Sequence, residues 1–274
     1  MHNRHGGHTL IELMIAMAIA GILVTAIFQV YQLRQKSHSK QQLAVEMQQN
    51  IRAAISLIKR EIRMAGYDPA ANDGTDSDGD SAIDNATESA GAGIRTAARH
   101  MIRITFDLNG DIDIVPRESV TYGFAKKYDG DGDGIADSGG APLGRRTGAG
   151  PLTGVAENIQ AVGFAYAFDH DHDGYLDTAD GTKDGSIIWA YDSDPDDEDN
   201  HLNTNLSSGL PLAGPVSLSD IRAVRIWILA RTKAPVRGHF DQRTYTVGDR
   251  VIVSADRYQR RLVRSTVYCR NMGL

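Results

Sequence analysis

Two acidic segments in the middle of this chain have the residue types and the spacing to hold a divalent cation. Asp169, Asp171 and Asp173 alternate with histidines, Gly174 follows, and Asp177 and Asp180 complete the pattern D-x-D-x-D-G-x-x-D-x-x-D. Oxygens at loop positions 1, 3 and 5 converge on one ion, glycine at position 6 permits the sharp turn, and positions 9 and 12 close the shell. An all-oxygen, flexible ligand set suits calcium, whereas magnesium demands tighter octahedral geometry. Asp129, Asp131, Asp133, Gly134 and Asp137 repeat the pattern but have Gly140 at position 12. Asp76, Asp78, Asp80 and Asp84 are a weaker third match, because Ser81 replaces the glycine of position 6.

The bland alternative for each is a charged, solvated surface loop, and Asp192–Asp199 is read as such an acidic turn. Asp180 is shorter than the bidentate glutamate usual at position 12, and no helix pair is expected around the loop, so the likeness is to an EF-hand loop alone. His170 and His172 occupy even loop positions, which point away from an ion held by the odd ones. They are read as exposed histidines and not as transition-metal ligands.

These loops dominate the charge distribution. The formal net charge is only -6, yet 23 of the 35 acids fall within 68–88, 129–137 and 169–199. Residues 221–274 carry twelve Lys and Arg against three acids, so an acidic middle is followed by a basic end. Arg260, Arg261 and Arg264 raise the possibility of a nucleic-acid or surface grip, against the simpler reading that they balance the acidic loops. Cys269 is the single cysteine, so no intrachain disulfide forms and the redox compartment is left open. No nucleophile elbow, P-loop, HExxH or CxxC is present, and catalysis is not expected.

The elements that must position these loops begin with a helix. Leu10 to Val30 is apolar apart from Glu12, Thr25 and Gln29, and at about 1.5 Å per residue it can cross a ~30 Å hydrocarbon layer. The small-residue pair Gly6-Gly7 lies before this run, so a cut there leaves the helix on the mature protein, unlike a secretory signal. Glu12 is costly in a membrane, although the first turn of a helix favours an acid. Arg4 precedes the span while Arg34, Lys36 and Lys40 follow it, so charge alone does not orient the helix.

No breaker appears until Gly66 and Pro69. Met47, Ile51, Ala54, Ile55, Ile58, Ile62 and Ala65 form an amphipathic stripe. One helix from about Thr9 to Ala65 would be roughly 85 Å long. Beyond it, alternating residues predict a hairpin over 102–114 turning at Asn109-Gly110, and strands at 119–125, 159–168, 186–191, 221–231, 243–247, 250–254 and 258–268. The expected class is α+β: a long N-terminal helix packed on an antiparallel sheet or small β-barrel, with acidic loop insertions.

The peptide Gly7-His8-Thr9-Leu10-Ile11-Glu12-Leu13 resembles the type IV prepilin signature. That resemblance implies cleavage by a prepilin peptidase between Gly7 and His8, N-methylation of His8, and a role for Glu12 as fifth mature residue in pairing with a neighbouring subunit's amine. The departure is His8, where phenylalanine is usual. Residues 221–232, Tyr245-Thr-Val-Gly-Asp249, the ending 258–274 and Ala65-Gly-Tyr-Asp-Pro69 resemble PilW-type minor pilins and the related J-type pseudopilins.

The organisation so implied is a leader at 1–7, a methylation and transmembrane helix at 8–33, and a head at 34–274. The implied function is a minor pilin that helps initiate or cap a type IV pilus, with calcium steadying the head. Its implied partners are other minor and major pilins, the peptidase and the inner membrane, with the head outside the cytoplasm before entry into the fibre. The alternatives are a minor pseudopilin of type II secretion and a pilus-borne module that binds DNA or a surface.

Overall fold

The computed structural model describes residues 10–69, 91–111, 113–195 and 201–273. The chain divides into two compact units, Met1–Val45 and Glu46–Leu274, and one helix, α1 (Leu10–Met64), contributes to both.

In the first unit, Leu10–Gln32 is a 23-residue stretch of mean hydropathy 2.5, long and apolar enough to cross a membrane, with its side chains unburied. Glu12 lies in the first turn. Within the stretch, Thr25 is satisfied locally: its Oγ1 donates to the Gly21 carbonyl at 2.8 Å.

In the second unit the amphipathic stripe does what its spacing predicts. Met47, Ile51, Ala54, Ile58, Ile62 and Ala65 are buried, and Ile55 packs at their margin. Each fully buried isoleucine contributes about 1.5–3 kcal/mol relative to exposure. Gly66 ends the helix with a φ of +77°, a left-handed conformation that glycine adopts without penalty. Its N–H donates to the Thr105 carbonyl at 3.2 Å, and the Asn271 side-chain amide donates to the Arg63 carbonyl at 3.1 Å. The sheet and the chain's last residues thus supply the partners that a helix end lacks.

The strands are β1 (Gly93–Ala97), β2 (Ile102–Thr105), β3 (Ser119–Gly123), β4 (Ala141–Thr147), β5 (Thr153–Phe168) and β6 (Ala190–Tyr191). They continue with β7 (His201–Asn205), β8 (Pro211–Ser217), β9 (Ile221–Arg231), β10 (Thr244–Val247), β11 (Arg250–Val253) and β12 (Arg260–Tyr268). β1 to β8 pair in chain order, and β9 joins the same sheet by pairing β5 on one side and β12 on the other. Every ladder is antiparallel, and the sheet stays open instead of closing into a barrel. β10 and β11 form a separate hairpin.

The long strand β5 has this branching role because its first half pairs β4 and its second half pairs β9. Its pleat separates two cores. Val162, Phe164, Tyr166 and Phe168 join Val224, Ile226 and Ile228 beneath the helix stripe. Ala161, Ala165 and Ala167 join Trp227 and Leu229 on the opposite face, where Tyr245, Val247 and Ile252 of the small hairpin cover them. The second unit therefore has three layers: helix, sheet and hairpin.

The expected hairpin over 102–114 does not form. β2 pairs β1 and β3, and buried carboxylates capture the donors that follow it. Asp107 accepts from the N–H groups of Asn109 (3.0 Å) and Gly110 (2.7 Å), and Glu118 accepts from those of Leu108 (3.2 Å) and Val115 (3.0 Å). The strand expected at 186–191 is reduced to Ala190–Tyr191. No alternation predicts β1, β4, β7 or β8, since sequences such as Ala-Pro-Leu-Gly-Arg-Arg-Thr carry none. β9 occupies the expected 221–231.

Candidate metal centres

The two acidic loops have the same construction, and each position of the second lies 40 residues after its counterpart in the first. In the first loop Asp129 accepts from the N–H of Asp133 through Oδ1 (3.0 Å) and from that of Gly134 through Oδ2 (2.9 Å). In the second, Asp169 accepts from Asp173 (3.1 Å) and Gly174 (3.1 Å) in the same way. The N–H groups of Gly130 and His170 donate to Asp137 (3.1 Å) and Asp177 (3.4 Å) respectively. Asp137 and Asp177 donate through their own N–H groups to the carbonyls of Tyr128 and Phe168. Positions 4 and 6 are left-handed in both, filled by Gly132 and Gly134 in one and by His172 and Gly174 in the other. The backbone makes the same bends in two places, and what the two sequences share is the aspartate spacing and the glycine at position 6.

Oxygens of Asp129, Asp131 and Asp133 lie within 4.8 Å of one another, as do those of Asp169, Asp171 and Asp177. Such groups can hold a metal ion. Burial raises the Asp129 carboxyl above the ordinary carboxylate range, opposed by the Gly134 N–H and reinforced by Asp133. Asp177 is raised by burial first and then by Asp171 and Asp169, against the His170 N–H. These are the marks of acids forced together, a cost that a bound cation removes.

Asp173 and Asp137 lie beside these tight groups, engaged with the backbone of Tyr175 and Gly130. Asp180 is turned elsewhere: its Oδ1 accepts from the N–H and Oγ1 of Thr182 (3.2 and 3.0 Å) and from Thr178 Oγ1 (3.2 Å). These hydrogen bonds, led by the Thr182 N–H, hold its carboxyl below the usual range. Asp76, Asp78, Asp80 and Asp84 lie outside the described residues, as do Gly7, His8 and Asp196–Asp199.

Both loops hang from β5. The first bridges Ile135 to Ala161, and the second begins where β5 ends at Phe168. What stands behind each loop differs, and sequence reasoning missed it. Arg250, on the small hairpin and largely buried, donates to the Asp133 carbonyl and to the carbonyls of Val162 (3.0 Å) and Arg99 (3.3 Å). A permanent cation is thus fixed against the back of the first loop. Behind the second loop lies a buried acid, Asp220, bracketed by His170 Nδ1 and His172 Nε2 at 3.2 Å each. The histidines are exposed, as their even positions imply, but they have this partner. An arginine inside a strand of alternating burial is the only sequence sign of Arg250, and Asp220 leaves none.

The basic end is less available than its composition suggests. Arg260 is buried and points inward, with Nη1 and Nη2 on the two Asp256 oxygens at 2.6 Å and Nε on Gln160 Oε1 at 2.6 Å. It balances Asp256 and Asp241, not the acidic loops. Arg261 and Arg264 remain exposed. Cys269 is buried, and burial pushes its thiol up to about 12, so it is an unreactive core residue.

Two family models match the chain. One, the prokaryotic N-terminal methylation motif, covers residues 2–28. The other, type IV pilus-assembly protein W, covers residues 141–271, from β4 to the residues that cap α1. No match is found among curated proteins. Among solved structures the chain is similar to a type IV-like pilin from Thermus thermophilus, at 13% identity and a TM-score of 0.42, covering 82% of this chain and 97% of that one. The methylation motif heading an apolar helix, with a sheet-rich head behind it, defines a type IV pilin-like protein. With the assembly-protein match over residues 141–271, the head is similar to PilW-type minor pilins.

Proposed function

We propose that this protein is a minor pilin that takes part in type IV pilus assembly within an initiation or tip complex, acting by packing and not by catalysis. The observation that carries the reading is α1 itself, which combines an apolar span under a methylation motif with a stripe buried in the PilW-matched head. The peptidase cuts between Gly7 and His8, His8 is methylated, and residues 8–33 hold the protein in the inner membrane with the head, 34–274, outside the cytoplasm. Glu12 then pairs with the terminal amine of a neighbouring subunit, drawing the protein into register with other minor and major pilins. Replacing Glu12 by Ala tests this: fibre number and the protein's recovery from sheared fibres should both fall. Normal incorporation overturns the assembly role of that carboxylate.

The head is held by calcium in the two loops, with Asp129, Asp131, Asp133 and Asp137 around one ion and Asp169, Asp171, Asp173 and Asp177 around the other. Their identical construction at two places supports this reading. Asp180 serves the second loop through its bonds to Thr178 and Thr182.

A further inference from the structure

A groove of about 760 Å³ lies between the head half of α1 and the strand β12. Four cations enter it from the helix, Arg52, Lys59, Arg60 and Arg63, and Arg261 enters from the strand. No carboxylate lines it. Among the described residues none of the five has an ion-pair partner. The groove also has an apolar part, the half-buried Ile55, Leu57 and Val263.

Its wall is a sheet edge. β12 pairs β9 along all nine residues and, among the described residues, forms no ladder on its other side. An unpaired edge presents a row of N–H and C=O groups that a further strand can take up. Folded proteins usually blunt such edges with charge, proline or a bulge. Here the register with β9 is unbroken, and the charges beside the edge are of one sign.

We infer that this groove docks an acidic, extended polypeptide segment of a neighbouring subunit, which adds to the sheet beside β12 and sets its carboxylates against the five cations. Nucleic acid would satisfy the cations but would use neither the backbone edge nor the apolar floor. That the segment comes from a neighbouring subunit rests on the pilus-assembly reading. The preference for an acidic strand does not.

The test uses the full chain in detergent micelles and a fluorescent decapeptide of alternating Glu and Val. The controls are the same peptide with Lys for Glu and a single-stranded oligonucleotide. The acidic peptide should bind at low salt and protect the amides of 261–267 from hydrogen exchange. Affinity should fall about tenfold or more in the double variant Arg60→Glu and Arg261→Glu, and fall likewise for the unaltered protein at high salt. Equal binding of the Lys peptide, binding of the oligonucleotide alone, no binding, or binding without β12 protection would each overturn the inference. Fibre formation by the Glu12 variant is scored separately in cells, so either idea can fail without the other.

Discussion

Glu61, in the last turn of α1, meets Arg145 on β4 through both carboxylate oxygens, with Nε at 3.1 Å from each and Nη2 at 2.9 Å from Oε1. Tyr122 of β3 donates its hydroxyl to the same carboxylate at 2.5 Å. Burial, and then Glu61, raise the phenol well above its ordinary value, so it stays a donor at any physiological pH. One acid on the buried flank of the helix thereby ties α1 to two strands and sets the helix's rotation on the sheet.

Removing that acid leaves the buried Tyr122 hydroxyl and the half-buried Arg145 guanidinium without their shared acceptor. Glu61→Ala should lower stability by about 1–3 kcal/mol, the cost of leaving a buried donor such as the Tyr122 hydroxyl unsatisfied. Glu61→Gln, which keeps one acceptor oxygen and the side-chain volume but puts an NH2 donor where the second oxygen stood, should cost less. Thermal melts of the full chain in detergent measure both, and equal melting temperatures for Glu61→Ala and the parent would show that the clamp is dispensable.

Ile58 has no exposed surface and lies at the centre of the stripe. Ile58→Ala should destabilise the head by about 2–5 kcal/mol, from lost transfer energy and the cavity left behind. Ala53 lies on the exposed side of the same helix, and Ala53→Ser there should change stability by less than about 0.5 kcal/mol. Denaturant midpoints of the pair give the comparison.

The Arg260 network sets an acid limb. Its side-chain hydrogen bonds hold Asp256 below the usual carboxylate range. Burial alone would raise Asp241, but bonds from Tyr245 and Arg243 outweigh it and keep that group low as well. A depressed folded pKa contributes stability that is present above the unfolded value, about 3.9, and is lost as pH falls through the folded one. Melting temperature should therefore keep this contribution from neutrality to about pH 5 and lose it below about pH 4. Asp256→Asn should melt lower at neutral pH and show a shallower acid limb; an unchanged limb would remove Asp256 from the account.

The acidic loops carry the opposite sign. Asp129 is raised in the ion-free fold, so its charge weakens the head as pH rises through that value. In EDTA, Asp129→Asn should be no less stable than the parent by more than about 1 kcal/mol. With calcium at a hundred times its dissociation constant the parent should gain about 2.7 kcal/mol per ion, and the variant should lose one ion's share. Asp169→Asn makes the same test of the second loop. A melting temperature indifferent to millimolar calcium would end the metal reading.

The local patterns were legible wherever one period ran uninterrupted. The helix stripe, its stop at Gly66 and the strand 221–231 all follow from spacing, because a helix or strand buried on one face must repeat its apolar residues. The hairpin at Asn109-Gly110 failed because Asp107 and Glu118, distant in no alternation pattern, took its backbone donors. The strands β4, β7 and β8 are held by neighbours more than by their own side chains, and such pairing leaves no periodic trace.

By itself the sequence determined the apolar helix behind the peptide around Glu12, long enough to cross a membrane, and the aspartate spacing of the two loops. These are local properties: membrane crossing needs a length of apolar residues, and an oxygen cage needs donors at fixed intervals. Only the tertiary structure decided what backs each loop, Arg250 for one and Asp220 with its two histidines for the other. It also decided that Glu61 clamps the helix, that Arg260 turns inward while Arg261 faces a groove, and that β12 is an edge. Most of these join residues tens to more than a hundred positions apart, as Arg260 does with Gln160. Side chains so separated meet only through the order in which strands pair, and that order is not written in any local period.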